Sequence, residues 1–392
     1  MKGNIRRTAA FAMARWLETH DFPQMLLPRG EGRSEVQDML FTAIRRLRPL
    51  RKVLGELVSQ WPKGELEALL YVGAVQILYM PSIPDFAAVN ETVEAAKFCE
   101  NKSIARVVNG TLRNLIRRKE EFLQMLAASP LEVRESLPTQ LARRWTERFG
   151  AETAEALAAW HNTPAETFLA YPNGEYNLLP RGMKVENMDG FSAGGFIVQD
   201  PATRFAVDMM EPKKGEKILD ACAAPGGKAI QMAWRGADVT ACEVNPARRR
   251  KLEENIARTK VPIKVVAEYS GGPYDKILVD APCSNTGVLR RRPDARWNWT
   301  EEKLQQLVAL QADILDAAAK FLLPGGRLVY STCSNEPEEN VAQVEAFLER
   351  HPEFSFAEAT ESMPVESGCD GAFAAALLKR EAPQDPQWRV SP

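Results

Sequence analysis

At 392 residues the chain is long enough for two or three domains of ordinary size. Its composition, 45% hydrophobic and 26% charged without a low-complexity tract, excludes a fibrous or wholly disordered protein. The formal net charge of −2 hides an asymmetry: residues 1–150 carry 23 Lys/Arg against 17 Asp/Glu, and the remainder 27 against 35. A basic amino-terminal part suits contact with phosphates, although the same imbalance arises between ordinary solvated faces. No run of about 18 apolar residues marks a membrane span. The six cysteines (99, 222, 242, 283, 333 and 369) include no Cys-x-x-Cys pair, which argues against a metal site or disulfide framework and for a reducing, cytoplasmic setting.

In chain order, MKGNIRRTAAFAMARWLE reads as an amphipathic helix, because Arg15 interrupts the apolar stretch and no small-residue cleavage site follows. Apolar residues recur at helical spacing in SEVQDMLFTAIRRLRPLRKVLGELV and ELEALLYVGAVQILYM. Pro81 and Pro84 break the pattern, and Asn90 resembles an N-cap before ETVEAAKFCE. A basic helix, IARVVNGTLRNLIRRKEEF, follows; Arg113 and Arg117 fall away from its apolar face. Residues 130–163 suggest two more helices, and residues 164–195, rich in Pro and Gly, an irregular connection. From 196 onward strand-like runs (FIVQ, EKILDA, ADVTACEV, IKVVA, YDKILVDAPC, GRLVYSTC) alternate with helical stretches. That order predicts a doubly wound α/β domain with a mostly parallel sheet. The strands lack polar alternation, as expected when both faces are covered.

The first strand of that domain runs into DACAAPGGK, residues 220–228. A strand, a glycine-bearing turn (Cys222, Ala223, Ala224, Pro225, Gly226, Gly227, Lys228) and a helix form a cradle for a nucleotide-like ligand. The next strand ends at Glu243, placed for two ribose hydroxyls; the following ones end at Glu268, near where adenine would lie, and at Asp280. NAD and S-adenosylmethionine both fit. The absence of GxGxxG spacing favours S-adenosylmethionine, and a tight turn with no ligand is the bland alternative.

Cys283 (DAPCS) and Cys333 (STCS) each lie just past a strand at the sheet's carboxyl edge. One buried cysteine is ordinarily core packing; two beside a cofactor turn suit covalent catalysis. Carbon 5 of cytosine becomes nucleophilic once a thiolate adds to carbon 6, and a base and thiolate expulsion then complete the exchange. Asp280 suits hydrogen bonding to the ring edge of the base.

These motifs, DACAAPGGK, DAPCSNTGVLRRRPDARW and LVYSTCSNEPEEN, resemble those of the Sun/RsmB family of RNA cytosine-5 methyltransferases. NETVEAAK and VVNGTLRN are similar to the NusB-like RNA-binding domain of its bacterial ribosomal RNA branch, and GAFAAALLKR to its closing strand. The resemblance implies Cys333 as nucleophile, Cys283 as the residue that assists release, S-adenosylmethionine as cofactor, held by the turn, Glu243, Glu268 and Asp280, and small-subunit ribosomal RNA as substrate. It implies three parts: a helical NusB-like domain (1–128), a helical linker with a shortened small subdomain (129–195) and a Rossmann-like catalytic domain (196–392). Two positions depart from the pattern, which usually has aspartate where Glu243 and Glu268 stand. The target base must be single-stranded or flipped out to receive a thiolate. Arg290, Arg291 and Arg292, followed by Trp297 and Trp299, suit phosphate contact and stacking, as do Arg113 and Arg117. A solvated charge run with a structural tryptophan explains the first cluster equally well. Two other functions stay open at this level: a non-catalytic ribosome assembly factor on the same scaffold, and methylation of a nitrogen or a small molecule. Asp280-Ala-Pro-Cys283 stands where amino-methylating enzymes typically show Asn/Asp-Pro-Pro-aromatic, which disfavours the latter.

Overall fold

The computed structural model describes residues 4–381 apart from 102 and 181. It divides into two compact units: Met1–Pro164 with Leu289–Thr300, and Ala165–Val288 with Glu301–Pro392.

The first unit is helical. The helix Glu65–Tyr79 is apolar nearly all round and is buried from Ala68 to Ile77, as a central helix must be. Gly73 lets the helix Ser103–Arg117 approach closely; a Cβ there would lie 2.3 Å from Leu112 Cδ1. The amino-terminal helix spans Ile5–Thr19, with the Asn4 side chain accepting from the Arg7 N–H as its cap. Three details differ from the periodicity reading. The long second pattern is two helices, Arg33–Arg45 and Leu47–Gly55. Pro49 sits in the first turn of the second, where its missing N–H costs nothing, whereas its ring would collide with a carbonyl one turn back in a continuous helix. Asn90 is not a cap: the helix begins at Asp85, directly after Pro84. The basic helix stops at Arg117, and a separate helix covers Lys119–Ala127. Residues 129–163, set apart above as a linker, supply helices Leu131–Arg134, Thr139–Phe149 and Ala151–Trp160 to this unit.

Among the described residues the second unit carries ten strands: β1 (Phe168–Ala170), β2 (Tyr176–Leu178), β3 (Ile197–Val198), β4 (Lys217–Asp220), β5 (Asp238–Cys242), β6 (Ile263–Val266), β7 (Tyr274–Asp280), β8 (Leu322–Thr332), β9 (Phe354–Ser362) and β10 (Ala372–Lys379). The main sheet has the order β6-β5-β4-β7-β8-β10-β9. β4 to β8 run parallel, and β10 is antiparallel to both neighbours. This is the Rossmann-like arrangement expected from the strand-helix alternation. Strand order reverses between β4 and β7, so their carboxyl ends flank the crevice where such sheets bind ligands. β9 escaped the sequence reading because it is an edge strand with mostly exposed residues, glutamates among them, and so has no apolar run.

FIVQ does not join the main sheet. β3 pairs antiparallel with β1, and β1 with β2, in a separate three-stranded sheet whose other two strands lie in the region read as irregular. The β1–β2 turn contains Asn173-Gly174, with Gly174 at φ +85°, a hairpin signal lying in plain sight. Arg258 ties the subdomain down by donating Nη1–H to the carbonyls of Phe191 and Phe196, 3.0 Å each. No described helix is long and apolar enough to cross a membrane.

Candidate active site

The carboxyl ends of β4, β7 and β8 bring together Asp220, Asp280 and the loops bearing Cys283 and Cys333. The two sulfurs lie 3.3 Å apart. Two further bonds fix this pairing: Gly287 N–H donates to the Cys333 carbonyl at 3.0 Å, and Asn285 Nδ2 to the Cys283 carbonyl at 2.7 Å. Asn285 adopts φ +60°, a left-handed conformation that asparagine tolerates. At Gly287 a Cβ would meet the Gly371 and Cys333 carbonyl oxygens at 2.8 and 2.9 Å, so only glycine lets these backbones meet.

The two thiols differ. Cys283 is buried, and its pKa is pushed well above the ordinary thiol value by its hydrogen bond to Cys333, by burial and by the nearby negative charge of Glu339. It therefore stays a neutral thiol, able to donate to a Cys333 thiolate.

Lys228, at the end of the glycine turn, bonds Asp280 Oδ2 at 2.7 Å. Ser331 donates to Oδ1 of the same carboxylate at 2.8 Å, so Asp280 is aimed by two partners. Burial opposes the Lys228 ammonium, but Asp280, Asp220 and Cys333 outweigh it and raise its pKa. A cation thus stands near Cys333. Among the described residues no group of three or more His, Cys, Asp or Glu is arranged to hold a metal ion.

The cofactor turn is shaped by the chain itself. A Cβ at Gly226 (φ +109°) would lie 2.7 Å from Leu252 Cδ1, and one at Gly227 3.1 Å from the Gln199 amide. From the helix Pro246–Thr259, Arg248 donates to the Ala224 carbonyl (3.2 Å) and Asn255 to that of Pro225 (2.8 Å). Neither contact is local, so no motif in the sequence marks Arg248 or Asn255 as a support of the turn. Cys222 and Ala223 lie inside the turn, and Ala223 N–H donates to the Cys242 carbonyl at 2.9 Å. Glu243 is buried; Arg248 pairs with its Oε2 (3.3 Å) and Asn245 N–H bonds its Oε1 (2.9 Å). Glu268 lies two residues beyond β6 and is exposed.

The site fits a cationic, hydroxyl-bearing cofactor. Asp220 is 1% exposed, and its Oδ1 has no hydrogen-bond partner. Burial, reinforced by Asp280, raises its pKa to about 7, against the pull of Lys228. A buried acceptor without a donor is costly, and a positively charged ligand would relieve that cost. A prediction follows for the ligand-free protein. With the folded pKa raised above the unfolded one, the Asp220 contribution is fully present below about pH 4 and is lost as pH rises through about 7. Asp220→Asn should gain in melting temperature over the parent on going from pH 5 to pH 8; an unchanged difference between the two pH values would sink this assignment.

The arginine cluster after Cys283 is placed otherwise than expected. Arg290 is buried, with its guanidinium 3.9 Å from the Trp160 ring centroid and its carbonyl accepting from Arg45. Arg292 lies over Phe22 and pairs with Asp294 at 3.0 Å. Both are engaged inside the helical unit, so phosphate contact by Arg290 and Arg292 is not supported. Arg291 is half-buried. Arg113 and Arg117 are exposed on their helix, where they bond Asn109 and Asn114.

Similarity to known proteins agrees with this geometry. The model of the 16S rRNA methyltransferase RsmB/F family matches residues 207–386, and that of the NusB family residues 4–117. The chain is 32% identical over 426 residues to ribosomal RNA small subunit methyltransferase B of Serratia proteamaculans, covering 96% of this chain and 99% of the relative. It is 31% identical to the protein of that name from Salmonella arizonae, covering 97% and 99%. The solved structure of PH0851 shares the fold, with a TM-score of 0.77 at 21% identity over 96% of this chain and 99% of that one. Fold, site and relatives together define an S-adenosylmethionine-dependent ribosomal RNA methyltransferase. The chain belongs to the RsmB/F family of 16S rRNA methyltransferases.

Proposed function

We propose that this enzyme methylates carbon 5 of a cytosine in 16S ribosomal RNA through a covalent adduct on Cys333. The observation that carries the reading is the pair of cysteine sulfurs 3.3 Å apart beside the Lys228–Asp280 pair. S-adenosylmethionine, when bound by the turn, Asp220 and Glu243, supplies an electrophilic methyl group.

The chain's own residues do the rest. Cys333, as the thiolate, adds to carbon 6, and the electron pair of the 5,6 double bond passes into the ring. Asp280, held by Lys228 and Ser331, accepts a hydrogen bond from the exocyclic amine at the ring edge and so orients the base for addition. Carbon 5 then takes the methyl group. Loss of the carbon 5 proton to a base restores the double bond and expels Cys333 as thiolate, and the neutral Cys283 thiol donates a hydrogen bond to the departing sulfur. Cys283 is thus suited to release rather than attack.

Bisulfite sequencing of 16S rRNA from cells with and without the enzyme tests the reading. It expects one protected cytosine that disappears with the enzyme; no such cytosine, or a methyl group on nitrogen, would overturn it. Failure of the chain to bind S-adenosylmethionine in calorimetry would favour the assembly-factor alternative. For RNA contact we assign Arg113 and Arg117. The double variant Arg113→Gln/Arg117→Gln should weaken RNA binding and lower the slope of log affinity against log salt by about 2, one per lost phosphate contact; an unchanged slope removes these two residues from the interface.

A further inference from the structure

Both cysteine motifs read Cys-Ser, and the proposed chemistry uses only the cysteines. The serines converge on one buried carboxylate. Glu339, 0% exposed, accepts from the Ser284 N–H at 2.8 Å, from the hydroxyls of Ser284 and Ser334, and from Gln311 Nε2 at 3.0 Å. Gln311 also donates to the Pro282 carbonyl at 2.9 Å, within the Cys283 loop. The Glu339 backbone is itself anchored, its carbonyl accepting from Tyr330 OH at 2.7 Å. The neighbouring Asn340 bonds Thr332 Oγ1 (2.6 Å) and the Ser334 carbonyl (2.9 Å), bracketing Cys333 on both sides.

We infer that Glu339 is the positioning residue of the cysteine pair, a carboxylate clamp that holds the loop after β7 and the loop after β8 at the separation where Cys283 and Cys333 act on the same base. The inference rests on the two-cysteine reading for its consequence and on geometry for its substance. The two loops follow different strands and are 50 residues apart in sequence. The loops also meet through Gly287 N–H on the Cys333 carbonyl and Asn335 N–H on Thr286 Oγ1 (2.9 Å); at the cysteine-flanking serines the link is by side chains, whose hydroxyls touch at 3.0 Å and share the same carboxylate oxygen. A carboxylate accepts up to four hydrogen bonds and offers none, so it can bind donors from both loops at once. A glutamine keeps the shape but not the charge: with its oxygen toward the Ser284 N–H and Gln311, its amide nitrogen faces the two hydroxyls, which must turn from donors into acceptors. The clamp also separates the roles of the thiols, because its negative charge helps keep Cys283 protonated. Burial raises the Glu339 pKa against the pull of its four donors, which is the cost of placing a carboxylate there.

The test uses the full chain and two readouts. The first is oxidation by diamide, a two-electron oxidant that takes both thiol hydrogens and leaves a Cys283–Cys333 disulfide, followed by mass spectrometry. Glu339→Gln should slow this cross-link at least about tenfold relative to the parent, and lower kcat on the order of tenfold to a hundredfold with KM for RNA little changed. Glu339→Asp, which keeps the charge but shortens the reach, should recover part of both. Should Glu339→Gln fail to fold, Ser284→Ala and Ser334→Ala each remove one hydroxyl donor, and each should slow the cross-link. Parent-like cross-linking and kcat in folded Glu339→Gln would overturn the inference. The cross-link does not depend on the reaction catalysed, so absence of 5-methylcytosine with an intact cross-linking effect would reject the proposed chemistry alone.

Discussion

Cys333→Ala is expected to abolish methylation, by at least roughly a thousandfold, and to leave no covalent protein–RNA species on a denaturing gel. Cys283→Ala should do the opposite to the adduct: RNA is captured and not released, and a slow-migrating complex accumulates during turnover. The asymmetry follows from environment. Cys283 is buried and its thiol is held neutral by Cys333 and Glu339, whereas Cys333 stands near the Lys228 ammonium. A thiolate must form where charge is tolerated, and a donor is needed where a thiolate departs. Without the Cys283 S–H, the sulfur leaving carbon 6 loses the donor 3.3 Å away. Adduct accumulation in Cys333→Ala and not in Cys283→Ala would exchange the two roles.

Arg296→Met should be the most damaging substitution outside the active site. Its side chain is fully buried in the helical unit, where the guanidinium donates to the carbonyls of Arg45 (3.2 Å), Ser136 (3.1 Å) and His161 (3.2 Å) and to Asn162 Oδ1 (2.9 Å). Burial, with Arg45 and Arg46 nearby, lowers its pKa to about 9, a sign of how strongly the surroundings resist a charge there. What holds it is the ring of acceptors. A methionine of similar length leaves those acceptors buried and unpaired, at a cost of about 3–5 kcal/mol. Arg296→Lys should recover only part of this, since a single nitrogen cannot span the same set of acceptors. Thermal unfolding measures it: a fall in Tm of roughly 10 °C is expected, and a loss under about 1 kcal/mol would show that the acceptors find other partners.

The neighbourhood of Arg296 also shows where reading residues in order stops working. RRRPDARW has the look of an exposed, phosphate-seeking run. Its arginines are satisfied by partners far away in the chain, Trp160 under Arg290, Phe22 under Arg292 and the loop around His161 at Arg296. Charge in a sequence marks a need for partners and does not say whether RNA or protein supplies them. β3 went astray for a related reason: an apolar run is strand-like whichever sheet it joins, and pairing partners are tertiary facts.

Legible from residues alone were the helical first part, the alternating second part, the glycine turn after β4 and the two cysteines past strand ends. Each is local: periodicity, turn chemistry and the punctuation of a strand by polar residues act over a few positions. Only the tertiary structure decided that Cys283 and Cys333 touch, that Asp280 is aimed by Lys228 and Ser331, and that Glu339 gathers a serine from each cysteine loop. Those contacts join residues up to 55 positions apart. They exist because parallel strands bring their carboxyl ends to one edge of the sheet, which no local pattern can express.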